Sequence, residues 1–506
     1  MFSIPQRLGQ GVPILLALLA GAAVVLGFAP FSLFPIPVLA AALLYGVLSA
    51  RPASKPGRSA FLRGYAFGLG LLGCGVFWIR ISLNEFGNMG PWLANLLMAL
   101  FIAAMALYYG LLGWLIGRLD RGRPALGALL LFPGLYVLLE WLRGWLFTGF
   151  PWLNLGYSQI DSPLAGYAPI VGVYGLSLLV ALSGGLLWGL AHFGWRGRAA
   201  ALAGLLAIWL GGLGLQRLPW TEPAGEPFQA SLIQANIPQA VKWEPAARLG
   251  IMETYVDLTL DRLSSRLIVW PETAIPDFLH LIRGSLIDPL AERARTEGTE
   301  IVLGIPVMDT VSGRYYNGLV SLGSQEDRYL KRHLVPFGEF MPFESWLVPL
   351  ARAFDVPMSD FSAGDAERPL LRVGADPVAA SICYEDVFPA ELIQALPEAR
   401  YLINASNDAW FGDSLAPHQH LEMARMRSLE TGRYMVRATN TGISAIIDHR
   451  GQVTGRIPSF KRDVLTGPVE PRAGATPFVR LGNWLPIGLS LALALAALWL
   501  ARRRTV

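Results

Sequence analysis

The sequence predicts a multi-span α-helical membrane domain of eight helices joined to a soluble, layered α/β domain, and three observations carry that prediction. Hydrophobic residues make up 53% of the 506-residue chain and charged residues only 15%, with a mean hydropathy of +0.43, which is too apolar for a soluble protein. Eight apolar stretches are long enough to cross a bilayer, seven of them before residue 216 and one near the C-terminus. Between the seventh and the eighth, from Arg217 to Arg480, charges return and the apolar runs shorten to strand length.

The expected spans are 11–28, 32–50, 64–81, 91–117, 124–145, 166–190, 201–215 and 484–500. The first has only Arg7 on its flank and a second span follows almost at once, so it reads as a retained helix and not as a signal peptide. Basic residues then sort the loops. Arg51, Lys55, Arg58 and Arg63 follow span two, Arg118, Arg121 and Arg123 follow span four, Arg196 and Arg198 follow span six, and Arg502, Arg503 and Arg504 follow span eight. Because every second loop is basic, the positive-inside rule puts both termini in the cytoplasm and the long soluble segment on the opposite face. The domains accordingly run 1–216 with seven helices, 217–480 as a soluble domain outside the cytoplasm, and 481–506 as the eighth helix with a basic tail. Glu140 and Arg143 lie in span five, one helical turn apart, and read as a pair.

Within the soluble segment, 230–233, 266–270, 300–305, 316–322, 378–383, 401–405 and 443–448 read as strands, with helical patterns at 245–263, 286–296, 388–396 and 420–431. Such alternation implies helices covering sheets. A net charge of +4 and the lack of a basic run interleaved with aromatics exclude a nucleic-acid surface. The two cysteines, Cys74 and Cys383, lie too far apart in sequence and expected depth to form a structural disulfide. His418 and His420 fall on opposite sides of a strand, or about 200° apart on a helix. No Cys/His cluster accompanies them, so neither a metal site nor a cofactor is expected.

Three ionisable residues sit beside predicted strand ends in this segment: Glu272 in Val-Trp-Pro-Glu-Thr-Ala, Lys331 in Tyr-Leu-Lys-Arg-His-Leu-Val-Pro-Phe-Gly-Glu, and Cys383 in Val-Ala-Ala-Ser-Ile-Cys-Tyr-Glu-Asp-Val-Phe-Pro. Cys383 ends a β-prone run, the acidic pair Glu385 and Asp386 follows, and a helical pattern begins at Val387. That places the thiol at a strand-to-helix turn, where backbone N–H groups are free. A carboxylate shielded by Trp270 and Pro271 would be partly desolvated and able to take a proton from a thiol. An ammonium near that thiol would stabilise a thiolate and, later, an oxyanion. Taken singly, each residue also reads as a strand-end carboxylate, a solvated lysine or a core cysteine.

The three segments, in this order, resemble the Glu-Lys-Cys site of the nitrilase superfamily, whose members share an αββα sandwich. Joined to eight spans they look like one membrane family, the apolipoprotein N-acyltransferases of the bacterial cytoplasmic (inner) membrane. The resemblance extends over nearly the whole chain, through Phe-Pro-Trp-Leu-Asn-Leu-Gly-Tyr-Ser-Gln at 150–159, Gln-Ala-Asn-Ile-Pro-Gln-Ala-Val-Lys-Trp at 234–243 and Asn-Ala-Ser-Asn-Asp-Ala-Trp-Phe-Gly at 404–412. It implies transfer of an acyl chain from a phospholipid, typically phosphatidylethanolamine, to the α-amine of the diacylglyceryl-cysteine that begins an apolipoprotein. It also implies Cys383 as nucleophile, Glu272 as general base and Lys331 as oxyanion partner, with Glu339 and Glu385 assisting and Tyr384 giving a backbone N–H to the oxyanion hole. The soluble domain would then face the periplasm.

An acyl-thioester must be kept from water, so the site needs apolar walls. Candidates are Trp243, the loop 354–361 with Phe354, Val356, Met358 and Phe361, and the pair Trp410 and Phe411, which read equally well as interfacial-belt aromatics. Two other classes fit parts of the chain. A membrane-tethered nitrilase-type amidase needs one anchor and leaves seven spans unexplained; a transporter would place ionisable residues within its spans, where few occur.

Overall fold

A computed structural model describes residues 11–50, 56–87, 89–120, 122–341 and 360–503. Their chain falls into two compact units, one drawn from Met1–Arg80, Asn95–Leu218 and Leu481–Val506, the other from Ile81–Ala94 and Pro219–Arg480. Arg51, Lys55, Arg121 and Arg504 of the basic loops lie outside the described residues.

In the first unit the expected count of eight spans is not reached. Among the described residues, five helices are long and apolar enough to cross a membrane: Gly90–Leu119, Pro124–Arg143, Pro163–His192, Trp195–Leu215 and Trp484–Arg502. Pro56–Gly75 qualifies only when joined to Ile79–Phe86 across a break, and Gly11–Gly27 and Pro35–Ser49 are apolar but short of the ~20 residues a straight span needs. The first helix ends in a 3₁₀ turn over Val25–Gly27, and the second begins only at Pro35. Between them the chain turns at Pro30 and at Ser32, which has φ 54°, so part of each apolar run is loop. The short helices still pack closely: a Cβ on Gly21 would stand 2.0 Å from the Phe67 carbonyl oxygen, an approach that small residues allow.

Glu140 and Arg143 serve the segment that follows their helix more than each other. Arg143 donates to the carbonyl oxygens of Phe150 (3.1 Å) and Trp152 (2.6 Å) and to Asn154 Oδ1 (2.7 Å), while Glu140 accepts from the Leu155 N–H at 2.8 Å. The two also act on each other electrostatically, as the pair reading expects, and the structure adds these backbone partners to it. Buried backbone that is not helical needs partners, and these two side chains supply them.

The second unit contains the strands β1 (Glu222–Pro223), β2 (Phe228–Gln234), β3 (Leu267–Val269), β4 (Glu300–Met308), β5 (Tyr315–Leu322), β6 (Asp327–Leu330), β7 (Leu370–Val373), β8 (Asp376–Ile382), β9 (Leu402–Ser406), β10 (Met435–Thr439), β11 (Ser444–Ile447), β12 (Val453–Ile457), β13 (Asp463–Val469) and β14 (Arg472–Ala473). They form two six-stranded sheets, in the orders β13-β2-β3-β4-β5-β6 and β12-β11-β10-β9-β8-β7, while β1 pairs with β14. Alternating residues make the layers. Leu232, Val269, Val302, Val378, Ile382, Ile403 and Val436 from both sheets share one buried core. The opposite face of the first sheet (Ile233, Ile268, Ile301) packs on Ile251, Tyr255 and Leu290, from the helices Arg248–Leu260 and Asp288–Glu297. The opposite face of the second (Ala379, Leu402, Met435) packs on Leu392 and on Leu421 and Ala424, the last two from the helix Ala416–Thr431. The result is an α-β-β-α sandwich.

All seven expected strand segments are strands, but β10 lies between two of them unforeseen. Its sequence, Met-Val-Arg-Ala-Thr, places Arg437 at its centre, fully buried, and the charge hides the strand from a hydropathy pattern. The helix expected over 388–396 is also broken up. A 3₁₀ turn covers Cys383–Val387, Phe388 is extended, and only Pro389–Leu392 is α-helical.

Candidate active site

In the first sheet β2, β3 and β4 run parallel, as do β8, β9 and β10 in the second. Residues that follow the C-terminal ends of parallel strands are where α/β sheets place their chemistry. Glu272 follows β3, Cys383 follows β8 directly, and Lys331 follows β6 directly. All three are buried.

Glu272 sits on a turn held against β4, where Trp270 N–H donates to the Val302 carbonyl and Ala274 N–H to that of Gly304, both at 2.8 Å. The contact requires glycine at 304, because a Cβ there would lie 2.2 Å from Pro271 O. The carboxylate is held at both oxygens. Asn317 Nδ2 donates to Oε1 at 2.7 Å, and the Asn407 backbone N–H, just beyond β9 in the other sheet, donates to Oε2 at 2.9 Å.

Lys331 Nζ lies 2.9 Å from the Glu339 carboxylate and 3.4 Å from Glu272 Oε1. Burial by itself would lower this amine, but Glu339, Glu272 and the Cys383 sulfur together hold it above its ordinary value. It is a firm ammonium. Glu339 is fixed in turn by Asn317 Nδ2 at 3.1 Å and the Val335 N–H at 2.9 Å. Asn317 therefore bridges the two carboxylates, and its own carbonyl accepts from the Lys331 N–H at 2.8 Å.

Cys383 has φ 52°, a left-handed conformation that a non-glycine residue adopts at a cost and that clusters at functional turns. Burial pushes its thiol well above the ordinary value, Glu272 adds to the rise, and Lys331 opposes it. The resting group is thus a neutral thiol that needs a base to react. Glu385 braces the turn. Its Oε2 accepts from the Ile382 N–H (2.7 Å) and the Tyr329 hydroxyl (2.9 Å), and its Oε1 from the N–H groups of Arg332 (2.7 Å) and His333 (3.0 Å). The Cys383 turn is thereby stapled to the segment that carries Lys331. Burial raises the Glu385 carboxyl, with Lys331 and these N–H donors opposing.

The remaining candidates are more scattered. The Tyr384 ring packs on Phe388 at 5.1 Å. Trp243 is 54% exposed and follows the short helix Gln239–Lys242. Trp410 packs edge-on against Phe86 at 5.1 Å, and its carbonyl accepts from Ser82 Oγ at 2.7 Å. Phe411 lies edge-on to His420 with centroids 6.5 Å apart. Phe361 packs on Tyr315 at 5.0 Å, and its N–H donates to the Glu339 carbonyl at 3.0 Å. Phe354, Val356 and Met358 lie outside the described residues.

With this geometry in view, comparison with known proteins is decisive. Residues 20–186 match the sequence model of the apolipoprotein N-acyltransferase N-terminal domain, and residues 229–478 match that of carbon-nitrogen hydrolase. A protein of Methylococcus capsulatus named apolipoprotein N-acyltransferase is 46% identical over 97% of this chain and 96% of its own. The chain belongs to the apolipoprotein N-acyltransferase family. Proteins of the same name from Nitrosomonas europaea, 45% identical over 96% of this chain and 97% of its own, and from Pseudomonas putida, 42% identical over 97% of each, agree. The molecule is therefore an acyltransferase of lipoprotein maturation and a membrane protein. Because these apolipoprotein N-acyltransferases match through the helical region as well, a tethered amidase is set aside.

Sequence reading missed several groups that hold this candidate site together. Asn317, Asn407 and Tyr329 are common polar residues in strands or turns, and only the fold shows what they bind. Lys242 gave one weak signal, its place in the 234–243 motif. It is buried, its Nζ donates to the Glu272 carbonyl oxygen at 3.4 Å, and burial pulls it down to about 8 against the opposing pull of Glu272.

Proposed function

We propose that Cys383 carries the acyl group as a thioester between a phospholipid donor and the α-amine of an apolipoprotein's diacylglyceryl-cysteine. The observation that carries this reading is a buried thiol on a left-handed turn, with a buried carboxylate and a buried ammonium that are themselves 3.4 Å apart. Glu272 takes the proton from Sγ, and the thiolate attacks the donor's ester carbonyl. The Lys331 ammonium and the Tyr384 backbone N–H stabilise the resulting oxyanion. Collapse breaks the ester C–O bond, the proton on Glu272 passes to the departing alkoxide, and a lysophospholipid leaves. The acceptor amine then attacks the thioester, Glu272 takes the amine proton, and the thiolate departs and is reprotonated. Glu339 keeps Lys331 charged; Glu385 holds the turn.

Phosphatidylethanolamine is the donor that the family resemblance favours. Trp243, Phe361, Trp410 and Phe411, with Phe354, Val356 and Met358, would line the acyl path. The alternation of basic loops supports eight crossings, with the two short helices counted as spans in 1–216 and the last in 481–506. It also supports an inner-membrane location with 217–480 in the periplasm. The direct test is Cys383→Ala, which should fold as the parent does and form neither acyl-enzyme nor N-acylated product. Cys383→Ser should be nearly inactive, since a hydroxyl is far less acidic than a thiol. Substantial N-acylation by the alanine variant would end the reading.

A further inference from the structure

A second buried cluster lies behind the nucleophile, on the helix-covered face of the second sheet. Ser381, Asn404 and Arg437 are register neighbours across β8, β9 and β10, so their side chains form one polar row. Asn404 Nδ2 donates to Ser381 Oγ at 3.0 Å and to the Cys383 carbonyl at 3.4 Å, and Arg437 Nη1 donates to Asn404 Oδ1 at 2.5 Å. Arg437 also donates to Asp386 Oδ2 at 3.0 Å and to Asp408 Oδ2 at 3.1 Å. From the covering helix Ala416–Thr431, His420 closes the set: Nδ1 lies 2.9 Å from Asp408 Oδ1 and Nε2 lies 2.9 Å from Asp386 Oδ1. His420, Asp386, Asp408 and Arg437 are all at most 1% exposed.

A neutral imidazole has one donor and one acceptor nitrogen, so against two carboxylates one lone pair would face an anion. An imidazolium donates to both, and with Arg437 it balances the two aspartates charge for charge. The positions of those aspartates matter. Asp386 lies on the turn Cys383–Val387, and Asp408 immediately follows Asn407, whose N–H holds Glu272 Oε2 at 2.9 Å. We propose that His420 is a positioning residue acting as an imidazolium: with Arg437 it clamps Asp386 and Asp408, and so ties the turn bearing Cys383 to the turn that anchors Glu272. The proposal rests on the reading of Cys383 as nucleophile and Glu272 as base.

The charged groups facing the ring are Asp386 and Asp408 from the two turns and Arg437 from β10. Burial and Arg437 act to discharge the ring, but the two aspartates prevail and raise it from its ordinary value to about 9. Burial likewise acts to raise Asp408, and His420 and Arg437 outweigh it and hold that carboxyl down. For the histidine the sign is that of a raised base. Its charge stabilises the fold fully below about 6.5, the unfolded value, and that stabilisation is lost as pH rises through about 9.

The test uses the full-length protein in detergent with ¹⁵N-labelled histidine, His420 being assigned by its loss in His420→Gln. At pH 7.5 both ring nitrogens should be protonated, with titration near 9. Single-turnover acylation of Cys383 by phospholipid should fall in the parent through the same range. In His420→Gln it should be roughly ten- to a hundredfold slower at neutral pH and should lack that alkaline fall. Asp386→Asn, which keeps the ring, should lower its titration midpoint and shift the alkaline fall with it; it also provides the assignment if the glutamine variant does not fold. A ring that titrates at or below 6.5, an unchanged pH profile in His420→Gln, or a midpoint in Asp386→Asn that moves without the activity would each overturn the clamp. If the parent forms no Cys383 adduct at all, the proposed chemistry fails instead, while the ring titration is still read.

Discussion

Replacing Lys331 with methionine keeps an apolar stem of similar length and removes one buried charge, and two separate losses follow. The first is stability. Glu339 at 2.9 Å and Glu272 at 3.4 Å lose their shared cation, and breaking a buried pair in this way costs about 3–5 kcal/mol. That is a large part of the 5–15 kcal/mol typical of a folded domain, but it is not necessarily fatal. The second is catalysis. Loss of one oxyanion partner costs about 2.7–4 kcal/mol, or roughly 10²–10³ in rate. The double variant Lys331→Met/Glu339→Gln separates the two, because removing one stranded carboxylate should recover stability and leave the rate low. Glu272→Gln provides the contrast. Since Glu272 pushes the Cys383 thiol up and Lys331 pulls it down, the glutamine variant has the more easily ionised thiol, and its acylation should recover partly as pH rises. Lys331→Met has the less easily ionised thiol and still lacks the oxyanion partner, so it should recover little. The assay is single-turnover acylation of Cys383 against pH, beside a thermal melt of each variant. Equal recovery of the two single variants at every pH where both stay folded would refute the roles assigned to Glu272 and Lys331.

Other substitutions test the scaffold. Glu385→Gln keeps the shape but weakens four hydrogen bonds, three of which tie the Cys383 turn to the segment that carries Lys331; acylation should slow by about tenfold or more, with little change in acceptor KM, and an unchanged rate would show that the staple is dispensable. A reporter fused after Arg123 should be cytoplasmic, and one inserted near Gly374 should lie outside; both on one side would mean that a span has been miscounted.

How legible the molecule was depends on the kind of signal. The sandwich strands that lead to Cys383 and Glu272 announce themselves because residues 378–382 are apolar but for Ser381 and Leu267–Val269 are wholly apolar, as strands buried on both faces tend to be. The short strands β6 and β7 and the edge strands β12 and β13 do not, and β10 is masked by Arg437. The lengths of the first two spans were overread where hydropathy does not mark a turn, over residues 28–34, so that five of the eight expected spans are long apolar helices among the described residues. At the site, Glu272, Lys331, Glu339 and Cys383 stand out as titratable groups beside strand ends or in one specific phrase. Asn317 is silent, and Asn407 and Tyr329 show only as members of the 404–412 and 329–339 phrases, since an amide or a phenol in a strand or turn reveals no partner until a carboxylate is brought to it from another sheet or turn. His420 was noticed only as an unsuitable metal ligand; its carboxylate partners lie 34 and 12 positions away, beyond any helical spacing rule.

The most direct measurement is the intact mass of the full-length protein after incubation with phospholipid, followed by peptide mapping and then addition of a diacylglyceryl-cysteine peptide. One added acyl chain should appear on Cys383 together with released lysophospholipid, and it should leave when the peptide is added and gains the same mass at its α-amine. N-acylated peptide formed with no acyl group ever found on Cys383, or an adduct there that the peptide does not discharge, would contradict the thioester route.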